Sequence, residues 1–355
     1  MVKAKEQMEF FAAVNSADGF VSFFDEVFFS RNITRRYIIK GGPGTGKSSL
    51  MRRIARHAAE CGFEVEYYYC SSDTSSLDGI VIDSRIAVFD GTAPHSYDTA
   101  VAGARDEIVN LGEFWDSAAL RGRVGEIEAL IEEKKRSYKE AYGYLYAARS
   151  IRDVADSAVL LAVDRPKLKA AVAREYARLE IPKGSAASVL TRQTHALGVR
   201  GEVELLTLAR AAKRTHAVSD YYGTAYLYLY ELERLVRERG ARVAISRDPL
   251  DSARPQSILF LDTGDLFAVS DTAMSKSGTE VVNMKRFLDA GKVGRIRFSY
   301  RTAMRASSDV RALALASLRD AGEAHARLEE IYVPCMDFER QSAYSLALAD
   351  KILAR

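Results

Sequence analysis

The segment Gly41–Ser48 constrains this chain more than any other feature of its sequence. It reads Gly-Gly-Pro-Gly-Thr-Gly-Lys-Ser and fits the pattern G-x-x-x-x-G-K-[ST] without a mismatch. The apolar run Tyr37–Lys40 before it predicts a buried strand, and apolar residues at helical spacing after it predict a helix that ends near Gly62. Glycines let successive backbone amides face an anion, and a helix N-terminus adds the positive end of its dipole. The sequence therefore predicts a phosphate-binding loop between a strand and a helix.

The residues of this loop suit a magnesium triphosphate. The predicted binding residues are Gly41, Gly42, Pro43, Gly44, Thr45, Gly46, Lys47, Ser48 and Ser49. We expect Lys47 to reach the β- and γ-phosphates, which makes it a candidate catalytic residue, and the Ser48 hydroxyl to be a Mg²⁺ ligand. No Asn-Lys-x-Asp segment occurs in the sequence, so the guanine-reading element of GTPases is missing. ATP is therefore the predicted nucleotide, with Mg²⁺ as its cofactor.

A second candidate motif is the strand-like run Ile86–Asp90, which ends in an acid. Asp90 is predicted to hold Mg²⁺ directly or through water and to take part in catalysis. Gly91 follows it, whereas many ATP hydrolases carry a glutamate there that orients the attacking water. Without this carboxylate, the general base comes from elsewhere in the chain, hydrolysis is slow, or the γ-phosphate goes to a bound acceptor instead.

Three polar residues are expected near the carboxyl ends of the strands, where open α/β sheets bind their ligands. They are Asp73, Asp78 and His95. His95 is a candidate catalytic residue, and a loop histidine with only structural hydrogen bonds is an equally good interpretation of it.

An internal repeat predicts that the second half folds like the first. The matching pairs are 107–116 with 280–289, 87–90 with 268–271 and 62–65 with 240–243. By extension, Ala225–Leu229 would be the strand that corresponds to Tyr37–Lys40, with the next helix at Glu231–Arg239. About ten residues would then be missing between strand and helix, which is roughly the length of the loop. This alignment predicts one nucleotide site per chain.

The predicted fold class is α/β: a P-loop NTPase-like parallel sheet flanked by helices and tandemly duplicated, with a second copy that lacks the phosphate loop. The predicted domains are 1–183 and 184–355. Each is expected to end in a helical hairpin, because helical periodicity runs through 120–149, 161–180, 311–330 and 340–353. Such hairpins are more typical of packing surfaces than of nucleic-acid arms.

Composition excludes several classes of protein. The chain has 355 residues, 48% of them apolar, and a formal net charge of +3, which is too small to indicate nucleic-acid binding. No apolar stretch approaches the ~20 residues that a membrane-spanning helix needs. The first residues lack an apolar signal region, and three widely spaced cysteines form no C-x-x-C pair. We therefore expect a cytoplasmic protein without a disulfide frame or a zinc knuckle.

Several motifs together resemble an uncharacterised bacterial family of tandem P-loop ATP-binding proteins. They are the phosphate loop, Cys70–Asp73 with Ser76–Gly79, Asp90–His95, Val109–Asp116 and Tyr332–Phe338. The resemblance covers most of the chain and implies ATP binding and ATPase activity. Members carry a phosphate loop in each half, and this chain departs from that pattern in its second half.

Three functions are compatible with these features. The first is an ATP-binding protein that acts as a slow Mg²⁺-dependent ATPase with one active loop. The second is a phosphotransferase that moves the γ-phosphate to an unidentified small molecule. The third is a nucleotide-gated interaction module without turnover, whose protein partner is unidentified. A P-loop fold by itself does not choose among them.

Overall fold

The computed structural model describes residues 7–94, 96–270 and 279–353. Its strands are β1 Met8–Phe11, β2 Ala13–Ser16, β3 Gly19–Ser22, β4 Arg35–Lys40, β5 Val65–Tyr69, β6 Leu77–Ile82, β7 Ile86–Asp90, β8 Asp106–Asn110, β9 Ser188–Thr191, β10 His195–Gly198, β11 Gly201–Glu204, β12 Arg214–Ser219, β13 Arg242–Arg247, β14 Pro255–Phe260, β15 Asp265–Ser270 and β16 Thr279–Asn283. Its α-helices are α1 Phe24–Phe28, α2 Lys47–Glu60, α3 Ser117–Arg121, α4 Val124–Leu160, α5 Arg165–Arg178, α6 Thr207–Ala211, α7 Ala225–Arg239, α8 Ala290–Tyr332 and α9 Phe338–Leu353.

The two halves contain six-stranded sheets with the same strand order. The first sheet runs β1-β5-β6-β7-β4-β8, and the second runs β9-β13-β14-β15-β12-β16. Both sheets are mixed, because the third strand of each, β6 or β14, lies antiparallel to both of its neighbours while the other pairings are parallel. The second half therefore repeats the topology of the first, and the α/β class predicted from the sequence is confirmed.

The strand predicted at Ala225–Leu229 is wrong, because this segment begins helix α7. The strand of the second sheet that corresponds to β4 is β12, which lies between β15 and β16 as β4 lies between β7 and β8. Alternating tyrosines gave this segment the appearance of a strand, yet α7 buries Leu229, Leu232 and Val236 at helical spacing. Five residues, 220–224, connect β12 to α7, and six, 41–46, connect β4 to α2. The second loop is thus one residue shorter, and not about ten.

Strand register also corrects the predicted match of 87–90 with 268–271. Asp90 pairs with Ile39, the penultimate residue of β4. The penultimate residue of β12 is Val218, and it pairs with Val269. A valine therefore occupies the position of Asp90 in the second sheet, while Asp271 lies outside the described residues.

Apolar side chains hold the layers together. Residues from both sheets, among them Phe89, Leu259 and Leu266, join α1 in a core between the sheets. Helix α2 covers the outer face of the first sheet, and α7 covers the outer face of the second. Burial of such faces is the main favourable contribution to folding. The loops that precede α2 and α7 are consequently held at corresponding edges of the two sheets.

The long helices α4 and α8 each connect one half of the chain to a short helix that packs against the other half. They pack antiparallel, since Ile127 near the start of α4 packs with Leu328 near the end of α8, and further along α4 the Ala148 carbonyl accepts from the Ser307 hydroxyl of α8 at 2.7 Å. Helix α5, which follows α4, packs against α7 in the second half, and α9, which follows α8, packs against α2 in the first. Equivalent hydrogen bonds join the start of each long helix to the end of the other. Asp116 N donates to Cys335 O at 2.7 Å, and Asp289 N donates to Ala162 O at 2.9 Å.

This arrangement bears on the domains predicted from the sequence. The division at residue 183 stays a prediction. A cut at that point would assign α5 to the first half and α9 to the second, although each helix covers the core of the other half.

Candidate nucleotide site

The loop between β4 and α2 needs its glycines. Gly44 and Gly46 have left-handed backbones, with φ of +66° and +76°. A Cβ on Gly41 would lie 2.7 Å from the Thr45 hydroxyl oxygen, and that hydroxyl donates to Gly42 O at 2.9 Å. Gly46 precedes α2 and provides no side-chain cap for its first amides. The turn therefore presents backbone N–H groups at a helix N-terminus, which is a binding place for an anion.

The structure brings Lys47 and Asp90 together above this loop. The Lys47 ammonium donates to Gly41 O at 2.8 Å and to Gly42 O at 2.9 Å, and it lies 3.4 Å from Asp90 Oδ2. The other carboxylate oxygen of Asp90 accepts from the amide and the hydroxyl of Thr92 at 2.8 and 2.6 Å. These contacts hold the cation and the carboxylate at the mouth of the loop.

Ser48 lies one residue further along α2, and its hydroxyl accepts from Leu77 N at 3.1 Å. A hydroxyl oxygen and a carboxylate oxygen are hard ligands of the kind that Mg²⁺ prefers. Together with the glycine cradle and the lysine, this donor set fits a magnesium nucleotide. Ser49, on the first turn of α2, is exposed. His95 lies outside the described residues, so its predicted role stays a prediction.

Asp78 is buried at the same edge of the sheet. It is the second residue of β6, and because β6 runs antiparallel to β7, its start lies beside the end of β7 that carries Asp90. Burial, and then the negative charge of Asp90, raise the pKa of Asp78 to about 7. The neighbouring Cys70 thiol also has a raised pKa, first because of burial and then because of Asp78. The Asp73 carboxylate stabilises a local turn, where it accepts a hydrogen bond from Ser75 N at 2.9 Å.

Three residues from the long helices border the loop, and the sequence patterns did not single them out. Glu329 of α8 accepts from Gly44 N at 3.2 Å. His325 lies one turn before it, and burial, followed by the charges of Lys134 and Lys47, lowers the pKa of His325 to about 4. Burial and then Lys47 also lower the pKa of Lys134, which is on α4. These residues are up to 285 positions from the loop, so only tertiary packing brings them there.

The corresponding loop of the second half has the same turn but different chemistry. The Thr224 hydroxyl donates to Tyr221 O at 2.7 Å, as Thr45 donates to Gly42, and Gly223 has a φ of +68°. A loop with one of its glycines is therefore retained, where the sequence alignment predicted that the loop itself is missing. The first residue of its helix is Ala225, where α2 has Lys47.

Two carboxylates of the protein itself occupy the second loop. Asp220 Oδ1 accepts from Ala225 N at 3.0 Å, so an internal anion already caps α7. Asp156 Oδ1 lies 3.1 Å from where a Cβ on Gly223 would be, and Asp156 forms an ion pair with Arg254. Asp156 follows Asp116 by 40 residues, as Glu329 follows Asp289, so each long helix places an acid on one loop. The second loop is unsuited to a triphosphate, because it lacks the lysine and already holds negative charge.

The strand–loop–helix unit with its flanking sheet defines a P-loop NTPase-like α/β protein. Residues 36–174 match the family model of the AAA domain, dynein-related subfamily, and this segment contains the whole loop together with Asp90. The match supports a nucleotide-binding ATPase and confirms the predicted fold class. The chain has no significant match among curated proteins or among solved structures. In the described part of the chain, no helix is long and apolar enough to cross a membrane.

Proposed function

We propose that the first half of this chain binds ATP with Mg²⁺ at the loop 41–49 and hydrolyses it slowly in the cytoplasm, with one such site per chain. The observation that carries this proposal is the convergence of Lys47 and Asp90, 3.4 Å apart, over a glycine loop at the start of a helix. The second half would then be a degenerate copy that acts as a structural or regulatory partner. The resemblance to tandem P-loop proteins supports the same interpretation.

Each residue of the site would bind a different part of the magnesium nucleotide. Lys47 would exchange its contacts with Gly41 O and Gly42 O for the phosphate oxygens, while Ser48 and Asp90 would hold the metal. Bound Mg²⁺ would neutralise charge that develops on the β- and γ-phosphate oxygens. The loop amides and the N-terminus of α2 would bind the remaining phosphate charge.

Slow hydrolysis is supported by the packing at Gly91. A Cβ on this residue would lie 2.3 Å from Ile38 Cγ2, so the core leaves no room for the glutamate that many ATP hydrolases have here. Without that carboxylate, the attacking water is less well oriented.

A specific contact favours nucleotide gating as a second function. Glu329 lies on the phosphate loop and belongs to α8, which runs back to the second half. An incoming phosphate would compete with this carboxylate for Gly44 N–H, so binding would push the end of α8 away from the loop. The phosphotransferase hypothesis also stays a prediction.

The binding proposal is tested by calorimetric titration with MgATP of the wild type, Lys47→Ala and the control Arg56→Ala. Arg56 is an exposed cation on the same helix. We expect about one site in the wild type and, since charged hydrogen bonds are worth roughly 1.5–3 kcal/mol, an affinity roughly 10- to 100-fold weaker in Lys47→Ala. Arg56→Ala should bind normally. Equal affinities for Lys47→Ala and wild type, or two sites of similar strength, would contradict the proposal.

Phosphate release, with and without Mg²⁺, then separates the three functions. Slow Mg²⁺-dependent release without any acceptor supports the ATPase. Turnover that appears only when a small molecule is added from a metabolite panel supports phosphotransfer. Binding without turnover under any of these conditions supports the gated module.

A further inference from the structure

A cavity of about 660 Å³ lies beside the tip of the second loop, between that loop and the first turns of α8. The side chains that matter to its chemistry are Tyr221, Tyr222, Lys285, Arg297, Tyr300 and Arg301. Its volume is in the range of pockets that hold small ligands, which is roughly 300–1,000 Å³. The cavity is in the half that is not expected to bind a triphosphate, so it is separate from the proposed ATP site.

Three of these residues form an aromatic wall. The ring of Tyr222 lies 4.8 Å from that of Tyr221 and 5.0 Å from that of Tyr300, in both cases edge to face. Tyr222 has a φ of +56°, a left-handed backbone that is unusual for a bulky residue. Such strain is found preferentially at binding and active sites, where the surroundings hold it in place. An aromatic wall of this kind suits a flat ring.

Three cations line the same cavity, together with the carboxylate of Asp220, which already accepts from Ala225 N. Lys285, Arg297 and Arg301 are exposed, and within the described ranges none of them forms an ion pair. The nearby Arg152 and Arg254, by contrast, are bound to Asp248 and Asp156. In the described lining these three positive charges outnumber the carboxylate of Asp220, so the cavity attracts an anion, and arginine in particular binds phosphate through two parallel hydrogen bonds.

This basic lining is specific to the second half. Arg297 and Arg301 follow Asp289 by 8 and 12 residues, and the residues at the same distances after Asp116 are Val124 and Glu128. Val124 and Glu128 are exposed, and Ile127, at the position of Tyr300, packs in an apolar cluster with Leu328. Arginines in place of a valine and a glutamate do not follow from the packing that the two halves share.

We propose that this cavity binds a phosphorylated ring compound of about the size of a mononucleotide. Its ring packs against Tyr221, Tyr222 and Tyr300, and its phosphate contacts Arg297 and Arg301. The site does not use the start of α7 as a phosphate cradle, because Asp220 already caps it. It does not rest on ATP binding in the first half.

The test is calorimetric titration with AMP in the presence of EDTA, which removes divalent cations from the first site. The wild type should bind AMP more tightly than it binds adenosine, which lacks the phosphate, or ribose 5-phosphate, which lacks the base. Arg297→Ala and Arg301→Ala should each weaken AMP binding by roughly tenfold or more, since each removes a charge-assisted hydrogen bond. The matched control is Arg295→Ala, which removes an exposed arginine from the same helix outside the cavity.

Two further variants separate ligand binding at this cavity from folding and from the first site. Tyr222→Gly removes two ring contacts but also relieves the left-handed backbone, so its melting temperature should stay close to that of the wild type while AMP binding weakens. Lys47→Ala should bind AMP like the wild type, because Lys47 belongs to the other site. The proposal is overturned if Arg295→Ala weakens binding as much as Arg297→Ala, if Lys47→Ala alone abolishes it, or if AMP binds no better than adenosine.

Discussion

Glu329 is the residue whose replacement tests most directly how the long helices act on the phosphate loop. Its carboxylate accepts from Gly44 N at 3.2 Å and therefore occupies a donor that a phosphate would need. His325 Nε2 lies 3.8 Å from Glu329, but with a pKa of about 4 the imidazole is neutral at pH 7 and does not offset the negative charge. Glu329→Gln keeps the shape of the side chain and removes its charge.

The expected size of the effect follows from this contact. A hydrogen bond to a charged group is worth roughly 1.5–3 kcal/mol when it is shielded from water. The Glu329 side chain is 47% exposed, so solvent screening reduces its contribution to about 1 kcal/mol. Since 1.4 kcal/mol is a factor of ten, Glu329→Gln should bind MgATP about fivefold more tightly than the wild type.

The measurement is calorimetric titration of MgATP at pH 7 and at low ionic strength, where screening by salt is small. Glu330→Gln is the matched control, because it removes the same charge one residue further along α8, on an exposed side chain. The control should bind like the wild type. If Glu329→Gln binds ATP equally well or more weakly, Glu329 does not compete with phosphate, and the gating argument is refuted.

Two further predictions concern packing, and both are checked by thermal unfolding. Gly91→Glu should destabilise the protein by at least about 2 kcal/mol and should not accelerate hydrolysis, because its Cβ would lie 2.3 Å from Ile38 Cγ2. Gly125→Glu adds the same side chain where no atom lies within 4 Å and should be tolerated; equal effects would contradict the packing argument. Leu348→Ala in α9 should cost roughly 2–5 kcal/mol, because Leu348 packs in the core beneath the phosphate loop. Leu346→Ala, on a side chain that is 58% exposed, should cost much less, and a reversed order would exclude the packing of α9 against the first half.

Local features of the site were predictable because neighbouring residues determine them. The turn at Gly44 and Gly46 requires glycine at a left-handed backbone, and the strand before it and the helix after it follow from apolar periodicity. Asp90 was located for the same reason, as the acid that ends a buried strand. Each of these inferences uses a span of a few residues, within which sequence and conformation are directly coupled.

The error at Ala225–Leu229 shows where local reasoning fails. Its tyrosines and leucines alternate as in a strand, and the same residues also present an apolar helical face. The decision between the two depends on what covers the segment, namely the second sheet and α5, which the local pattern does not contain. Burial against these elements favours the helix, and tertiary packing of this kind often overrides a weak local preference for one type of secondary structure.

The sequence by itself determined that a glycine loop lies between a strand and a helix, that a lysine and an acid belong to it, and that the second half repeats the first. Only the tertiary structure decided which residues of the long helices, Glu329, His325 and Lys134, lie at this loop. It also decided that α5 packs in the second half and α9 in the first. In the second loop, it placed the carboxylates of Asp220 and Asp156 where a phosphate would otherwise bind. The physical reason is distance along the chain. Contacts between residues hundreds of positions apart arise from how whole layers bury their apolar faces, and no short pattern encodes which side chains those layers bring together.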